Sequence, residues 1–343
     1  MKKLLSWRQR AAVLGAAVPR DRLHPAVVAW ADARPAGEAW TIACSGGVDS
    51  LALLLLIWAH WPARRGRLQV LHFDHRLRGP ASGADARFCQ RVCGALGVRY
   101  QGGAWAHPPE GASEAAARAA RFAFFDRTMA GRRVRVLWLG QQQDDIAESL
   151  LMRLARGSGT AGLAAPRPVQ RAAAGRLHLR PLLTLAKADL VAALRSAGIP
   201  WREDGSNGAA DFFRNRVRRN VLPAWQRAAR RDALAGAARS RELLEEDDLA
   251  LEAWVEALRP LTARSELALN RLAGRPRAIV RRSLHRWLLA QPGVSDLSRQ
   301  AFEALLAAVI AGRPTRQSMG AEAFAVIRGR RLRFEKARVQ KRA

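Results

Sequence analysis

Acidic residues are scarce in this 343-residue sequence: 29 Asp and Glu stand against 58 Lys and Arg, for a net charge of +29. Solubility does not require so large an excess, so a polyanionic partner is indicated, nucleic acid first. Cysteine is also sparse. Cys44, Cys89 and Cys93 are the full complement, and no two of them have C-x-x-C spacing, which excludes a disulfide framework and the usual zinc and redox motifs. A reducing cytoplasm is the expected location. Long apolar runs are missing too: the longest, Leu51 to Ala59, is less than half the ~20 residues needed to cross a bilayer. The N-terminal apolar stretch is cut short at Trp7-Arg8-Gln9-Arg10, so no signal-peptide core and no membrane association are expected. With 49% hydrophobic and 25% charged residues, the chain has the composition of a folded protein long enough for two domains.

What the sequence does contain is organised around Cys44-Ser45-Gly46-Gly47-Val48-Asp49-Ser50. A short apolar run with Trp40, Ile42 and Ala43 precedes it and a very apolar helical stretch follows, so the order is strand, loop, helix. Two glycines allow a tight turn whose amides approach a ligand, and Ser45 and Ser50 add hydroxyls at a helix N-terminus. Such a loop suits phosphate. A carboxylate there would repel phosphate unless a divalent cation lay between them, so Asp49 reads as a Mg²⁺-facing residue.

Further along, apolar strand-like runs alternate with helical stretches. Leu68 to Phe73, Val98 to Gln101 and Val134 to Leu139 read as strands, and helices are expected from about Ser82 to Leu96, Ser113 to Met129, Asp144 to Arg156 and Leu185 to Ser196. This pattern predicts an α/β fold with a doubly wound, mostly parallel sheet, whose ligands bind at the carboxyl ends of the strands. The loop, Asp74 to Arg78 and Gln141 to Asp145 all follow strands, so three distant segments should converge on one crevice. From Asp211 to Arg231 there are seven arginines and one acid. The alternation then stops, placing a boundary at about 225/226 between a catalytic domain and a mainly helical one. In the second domain, helices are expected over Arg239 to Leu258, Pro276 to Leu289 and Ser298 to Ile310, with a hairpin over Ala323 to Phe334. Residues 1 to 36 read as a basic leader with one short helix, His24 to Ala31.

Ser45-Gly46-Gly47-Val48-Asp49-Ser50 resembles the PP-loop of the ATP pyrophosphatases, which split ATP between its α and β phosphates. Further segments are similar, in order, to the tRNA(Ile)-lysidine synthetases. They are Asp74-His75-Arg76-Leu77-Arg78, Arg118-Ala119-Ala120-Arg121-Phe122, Asp144-Asp145 with Glu148 and Arg153 through Gly159, Glu203-Asp204-Gly205-Ser206-Asn207, and Arg214-Asn215-Arg216-Val217-Arg218. One departure stands out. Where that family usually has two histidines before the paired aspartates, this chain has Gln141-Gln142, and glutamine carries neither proton nor charge near neutral pH.

The resemblance implies that ATP adenylates position 2 of the wobble cytidine of a tRNA(Ile) with a CAU anticodon, after which the ε-amine of L-lysine displaces AMP. On this reading Ser45 to Ser50 bind ATP and Asp49 faces Mg²⁺. Asp49, Arg118, Arg121, Asp144 and Asp145 form the catalytic set, and Asp145 and Glu148, three apart on one helix face, hold lysine. Arg214, Arg216, Arg218 and Arg219 would contact tRNA, together with the helical domain. A homodimer is compatible with the sequence, which does not fix the oligomeric state. Two alternatives remain open at this point: a PP-loop tRNA thiolase, against which Cys89 and Cys93 are expected on a helix away from the strand ends, and a non-catalytic tRNA-binding protein. His72-x-x-His75 lacks a third metal ligand at sensible spacing and reads as strand-end structure.

Overall fold

The computed structural model describes residues 5–76, 80–109, 111–203, 212–292, 297–320 and 323–336. Leu77, Arg78, Asp204 to Asn207 and the side chain of Ser82 lie outside the described residues, as does the basic tail after Lys336. The chain divides into two compact units, Met1–Glu245 and Glu246–Ala343. The division falls within one continuous helix, Ala233–Leu258, later in the chain than the expected 225/226.

In the first unit, six strands form one sheet: β1 (Trp40–Ala43), β2 (Leu68–Asp74), β3 (Arg99–Ala104), β4 (Val136–Trp138), β5 (Val169–Arg171) and β6 (Leu177–Leu179), in the order β3-β2-β1-β4-β6-β5. All pairings are parallel except that of β5 with β6 at the edge. Side chains alternate across the sheet because successive strand residues point to opposite faces. Trp40, Ile42, Val70, Val136 and Trp138 belong to one core, whereas Leu71, Leu137 and Leu139 belong to another on the opposite face. The sheet is therefore covered on both sides, as parallel sheets require.

The helices of this unit are α1 (Trp7–Ala17), α2 (Pro25–Asp32), α3 (Val48–His60), α4 (Pro80–Leu96), α5 (Glu114–Gly131), α6 (Gln143–Leu154), α7 (Thr160–Leu163), α8 (Lys187–Ser196), α9 (Phe213–Arg216) and α10 (Leu222–Ala229), followed by α11 (Ala233–Leu258). The run Leu51 to Ile57 is apolar all round, and α3 is correspondingly buried all round. Each of its leucines contributes about 1.5–3 kcal/mol through burial. Helix α1 was not expected, since its apolar residues are mostly alanines set among arginines. Its start was nonetheless marked, because Ser6 and Gln9 form a capping box. Strands β5 and β6 have no counterpart among the expected elements. At three residues each, one bearing Arg and the other His, they give too little alternation to detect.

The second unit has its own core, built from α12 (Arg277–Leu289), α13 (Arg299–Ala311) and a four-stranded antiparallel sheet of β7 (Leu267–Ala268), β8 (Thr315–Ser318), β9 (Ala323–Arg328) and β10 (Arg331–Lys336). The expected hairpin is β9–β10, in register from Ala323↔Lys336 to Arg328↔Arg331. The sheet extends beyond it, because polar β8 and two-residue β7 add strands that carry little apolar pattern of their own.

Candidate active site

The site is assembled at the carboxyl edge of the parallel strands. Between β1 and α3 the chain turns at Gly46, whose φ of +87° is open to glycine at no steric cost. A Cβ there would also meet Cys89 Sγ at 3.1 Å and Phe88 at 3.2 Å. The loop is held by its serines: Ser45 N–H donates to Ser50 Oγ (3.1 Å), the two hydroxyls lie 3.0 Å apart, and Ser50 Oγ donates to the Gly47 carbonyl (3.2 Å). Gly47 caps α3 without a side-chain acceptor, which leaves the first amides of the helix to an incoming anion.

Behind the loop stands the turn after β4. A Cβ on Gly140 would lie 2.9 to 3.0 Å from Asp49 C and O and Ser50 N, so only glycine lets this turn press against the start of α3. Gln142 then caps α6. Its side chain accepts from Asp144 N–H (2.5 Å) and its N–H donates to Asp145 Oδ2 (3.0 Å). Gln141 accepts a very short hydrogen bond from Arg180 Nε, and Arg180 also donates to the Arg167 carbonyl (2.7 Å). Both glutamines that replace the histidine pair are thus committed to structure, one to a helix cap and one to an arginine.

The carboxylates of α6 are not free. Glu148, 1% exposed, accepts from Arg214 Nε (2.7 Å) and from Arg218 Nε (2.5 Å) and Nη2 (3.1 Å), and Arg214 Nη2 also binds Asp145. Burial works against the charge on Arg214, but Asp145 and Glu148 together outweigh it and raise its pKa. The same balance raises that of Arg218. Arg214 and Arg218, expected to face RNA, therefore turn into the crevice, whereas Arg216 and Arg219 of the same segment are exposed. Beside this network, a cavity of about 210 Å³ is lined by Gln142, Asp144, Glu148, Lys187, Arg218 and Leu222, with Pro223 and Gln226.

A second group of cations makes no direct ion pair among the described residues: Arg118, Arg121 and Arg180. Burial, then the neighbouring Arg118 and Arg214, lowers the Arg121 pKa to about 10, and its buried Nε has no hydrogen-bond partner. Burial, then Arg118, lowers that of Arg180 to about 10 as well. His178, packed on Phe122 with ring centroids 5.5 Å apart, is driven down to about 4 by burial and Arg180, and is neutral at pH 7. Glu114 and Asp145 offset part of this positive charge from nearby, but guanidiniums crowded together without an ion pair of their own form a site for an anion.

Asp49 stands among the groups around α6, within electrostatic reach of Lys187, Asp145, Arg218 and Asp144. Its pKa is raised to about 6, first by burial and further by Asp145 and Asp144, against the lowering influence of Lys187 and Arg218. Its Oδ1 is buried without a hydrogen-bond partner. A carboxylate oxygen left over in this way fits a Mg²⁺ that takes one or two protein ligands and finds the rest in water and phosphate. No group of three His, Cys, Asp or Glu side chains suited to a metal exists among the described residues.

Sequence reasoning missed two residues, Arg180 and Lys187. Arg180 directly follows β6, as Gln141 stands in the turn after β4, and recognising that strand would have exposed it. Lys187 opens α8, its N–H donating to Asp144 Oδ2 at 3.0 Å. Cys89 also needs correction, since it does not lie away from the strand ends: its Sγ is 3.9 Å from the Cys44 carbonyl, under the loop. His72 is strand structure as expected, its Nδ1 3.0 Å from the same carbonyl.

Loop, sheet and crevice define a PP-loop protein, and residues 27–225 match the PP-loop domain family. Among curated proteins, the tRNA(Ile)-lysidine synthase of Geobacter sulfurreducens is 36% identical, with 78% of this chain and 58% of that protein covered. The enzyme of the same name from Gloeobacter violaceus is 34% identical, with 78% and 81% covered. The chain belongs to the tRNA(Ile)-lysidine synthase family. It spans about half the length of several relatives, such as 52% of the Bacillus licheniformis protein. Among solved structures, the U34-tRNA thiolase NcsA from Methanococcus maripaludis with its [4Fe-4S] cluster has a TM-score of 0.51 at 15% identity, covering 69% of this chain and 78% of that one, a likeness of fold alone.

Proposed function

We propose that this chain ligates L-lysine to position 2 of the wobble cytidine of a CAU-anticodon tRNA(Ile), forming lysidine at the expense of ATP. The observation that supports this reading is the pairing of arginines that make no ion pair, Arg118, Arg121 and Arg180, with a cavity beside α6 lined by both acids and bases; we assign the first to phosphate and the second to the amino acid. The loop amides, Arg118, Arg121 and Arg180 receive the phosphates. Charge grows there as the cytidine O2 attacks the α phosphorus and pyrophosphate leaves, so donors fixed in advance lower the barrier. Asp49 would hold Mg²⁺, which supplies further neutralisation of phosphate charge.

Lysine is then offered the cavity beside α6. Its acids, Asp144 and Glu148, suit an ammonium, its bases, Lys187 and Arg218, suit a carboxylate, and Leu222 and Pro223 suit the methylene chain. The ε-amine attacks C2, AMP leaves with the former O2, and the amine gives up its proton. Asp145, which caps α6 and binds Arg214, acts here by positioning. Exposed Arg216 and Arg219 and the second unit are assigned to tRNA. The test is mass analysis of a CAU-anticodon tRNA(Ile) after incubation with ATP and lysine. The lysine adduct is expected, and its absence alongside intact pyrophosphate release would reject lysine as the acceptor.

A further inference from the structure

At the opposite, amino-terminal edge of the parallel sheet there is a second cavity, of about 140 Å³, lined by Ala39, Gly66, Arg67, Leu68, Gln69, Arg99, Arg132 and Val134. None of its residues belongs to the crevice described above. We propose that this cavity binds a phosphate group. Its three arginines have no ion pair among the described residues, and nothing acidic lines the space.

The central guanidinium is built in. Arg132, at the C-terminal end of α5, donates from Nη1 to Gln69 Oε1 (2.8 Å) and from Nη2 to Gln101 Oε1 (2.9 Å). Gln69 is buried and is itself fixed by donating to Thr41 Oγ1 (2.5 Å), a fully buried hydroxyl of β1. A chain of neutral groups across three strands therefore orients this cation without cancelling its charge. Neutral acceptors leave the attraction for an external anion intact, where a carboxylate would have consumed it. Arg99 stands opposite Gln69 in the β2–β3 register, and Arg67 immediately precedes β2, so both flank the oriented fork. Both are exposed. The volume is several times the ~30 Å³ share of one liquid water, enough for a phosphate group with some of its hydration. Such a group comes either as a free anion or as part of an RNA backbone.

The experiment uses the full chain, the pair of exposed substitutions Arg67→Gln and Arg99→Gln, and a control pair of equal charge change, Arg91→Gln and Arg127→Gln. Two readouts are taken: calorimetric titration with inorganic phosphate, and tRNA affinity as a function of salt. Pyrophosphate release at saturating tRNA checks that the fold is kept. The site predicts that the parent and the control pair behave alike and the cavity pair differs. Loss of phosphate binding with an unchanged salt slope identifies a free anion. A slope of log affinity against log salt that is shallower by about 0.9 per lost contact identifies the RNA backbone. The proposal is overturned if neither readout separates the cavity pair from the control pair.

Discussion

Replacing Glu148 with Gln probes the centre of the crevice. The substitution keeps shape but removes one of the charges that hold Arg214 and Arg218. In the parent, Glu148 accepts three charge-assisted hydrogen bonds at 2.5 to 3.1 Å while 1% exposed. Glutamine retains one acceptor oxygen and turns an NH₂ toward guanidinium. Removing one partner of a buried pair costs about 3–5 kcal/mol, because the remaining charge is left without compensation. Arg214 keeps Asp145, which places the expectation at the lower end, about 3 kcal/mol. A domain is stable by only about 5–15 kcal/mol in total, so the change is large. In a unit of this size it corresponds to a fall in Tm of roughly 6–12 °C, at about 2–4 °C per kcal/mol. Denaturant unfolding of the parent, E148Q, R218Q and the double variant gives the coupling directly. The singles are expected to exceed additivity by more than about 1 kcal/mol, since the double variant removes both charges together. Additivity within about 0.5 kcal/mol would refute the argument that this pair organises the site. Lysine titration of the E148Q enzyme is expected to show weaker lysine use, with adenylation less affected.

Further expectations concern the loop and its support. Asp49→Asn is expected to abolish pyrophosphate release yet stabilise the protein at neutral pH. The parent carboxyl titrates near 6 when folded and near 3.8 when unfolded, so ionisation penalises the fold increasingly from about pH 4 to 6, by on the order of 3 kcal/mol at most above that. Unfolding curves at pH 4 and pH 7.5 should therefore agree between parent and variant at the lower pH and diverge at the higher; divergence at pH 4 alone contradicts the sign. Gly140→Ala is expected to cost about 1–3 kcal/mol from its clash with Asp49 and Ser50 and to impair ATP use, as thermal unfolding and pyrophosphate assays would show. Gln141→Leu frees Arg180 Nε and is expected to slow pyrophosphate release by about ten- to a hundredfold through misplacement of the guanidinium. An unchanged rate would remove Arg180 from the anion site.

The sequence by itself determined the β1–loop–α3 unit, the two-faced parallel sheet and the placing of Asp49, Asp144, Asp145 and Glu148 at the starts of helices that follow strands. These rest on local signals: paired glycines at a turn, an apolar helix after them, carboxylates in the first turns of a helix. Only the tertiary structure decided how those groups are used. The pairing of Glu148 with Arg214 joins residues 66 apart, and no local pattern announces a bond of that span. For that reason an arginine-rich segment that reads as an RNA-facing surface delivers two of its members to the crevice and leaves two outside. Arg180 stayed hidden because its strand is three residues long, and strands so short take their structure from their neighbours rather than from their own propensity. Gln141 and Gln142, which in the sequence stand as a departure from the family pattern, gain their meaning from an arginine at the end of the neighbouring strand β6 and a helix that one of them caps. Each is a relation between elements brought together by folding, and neither exists in the chain before it folds.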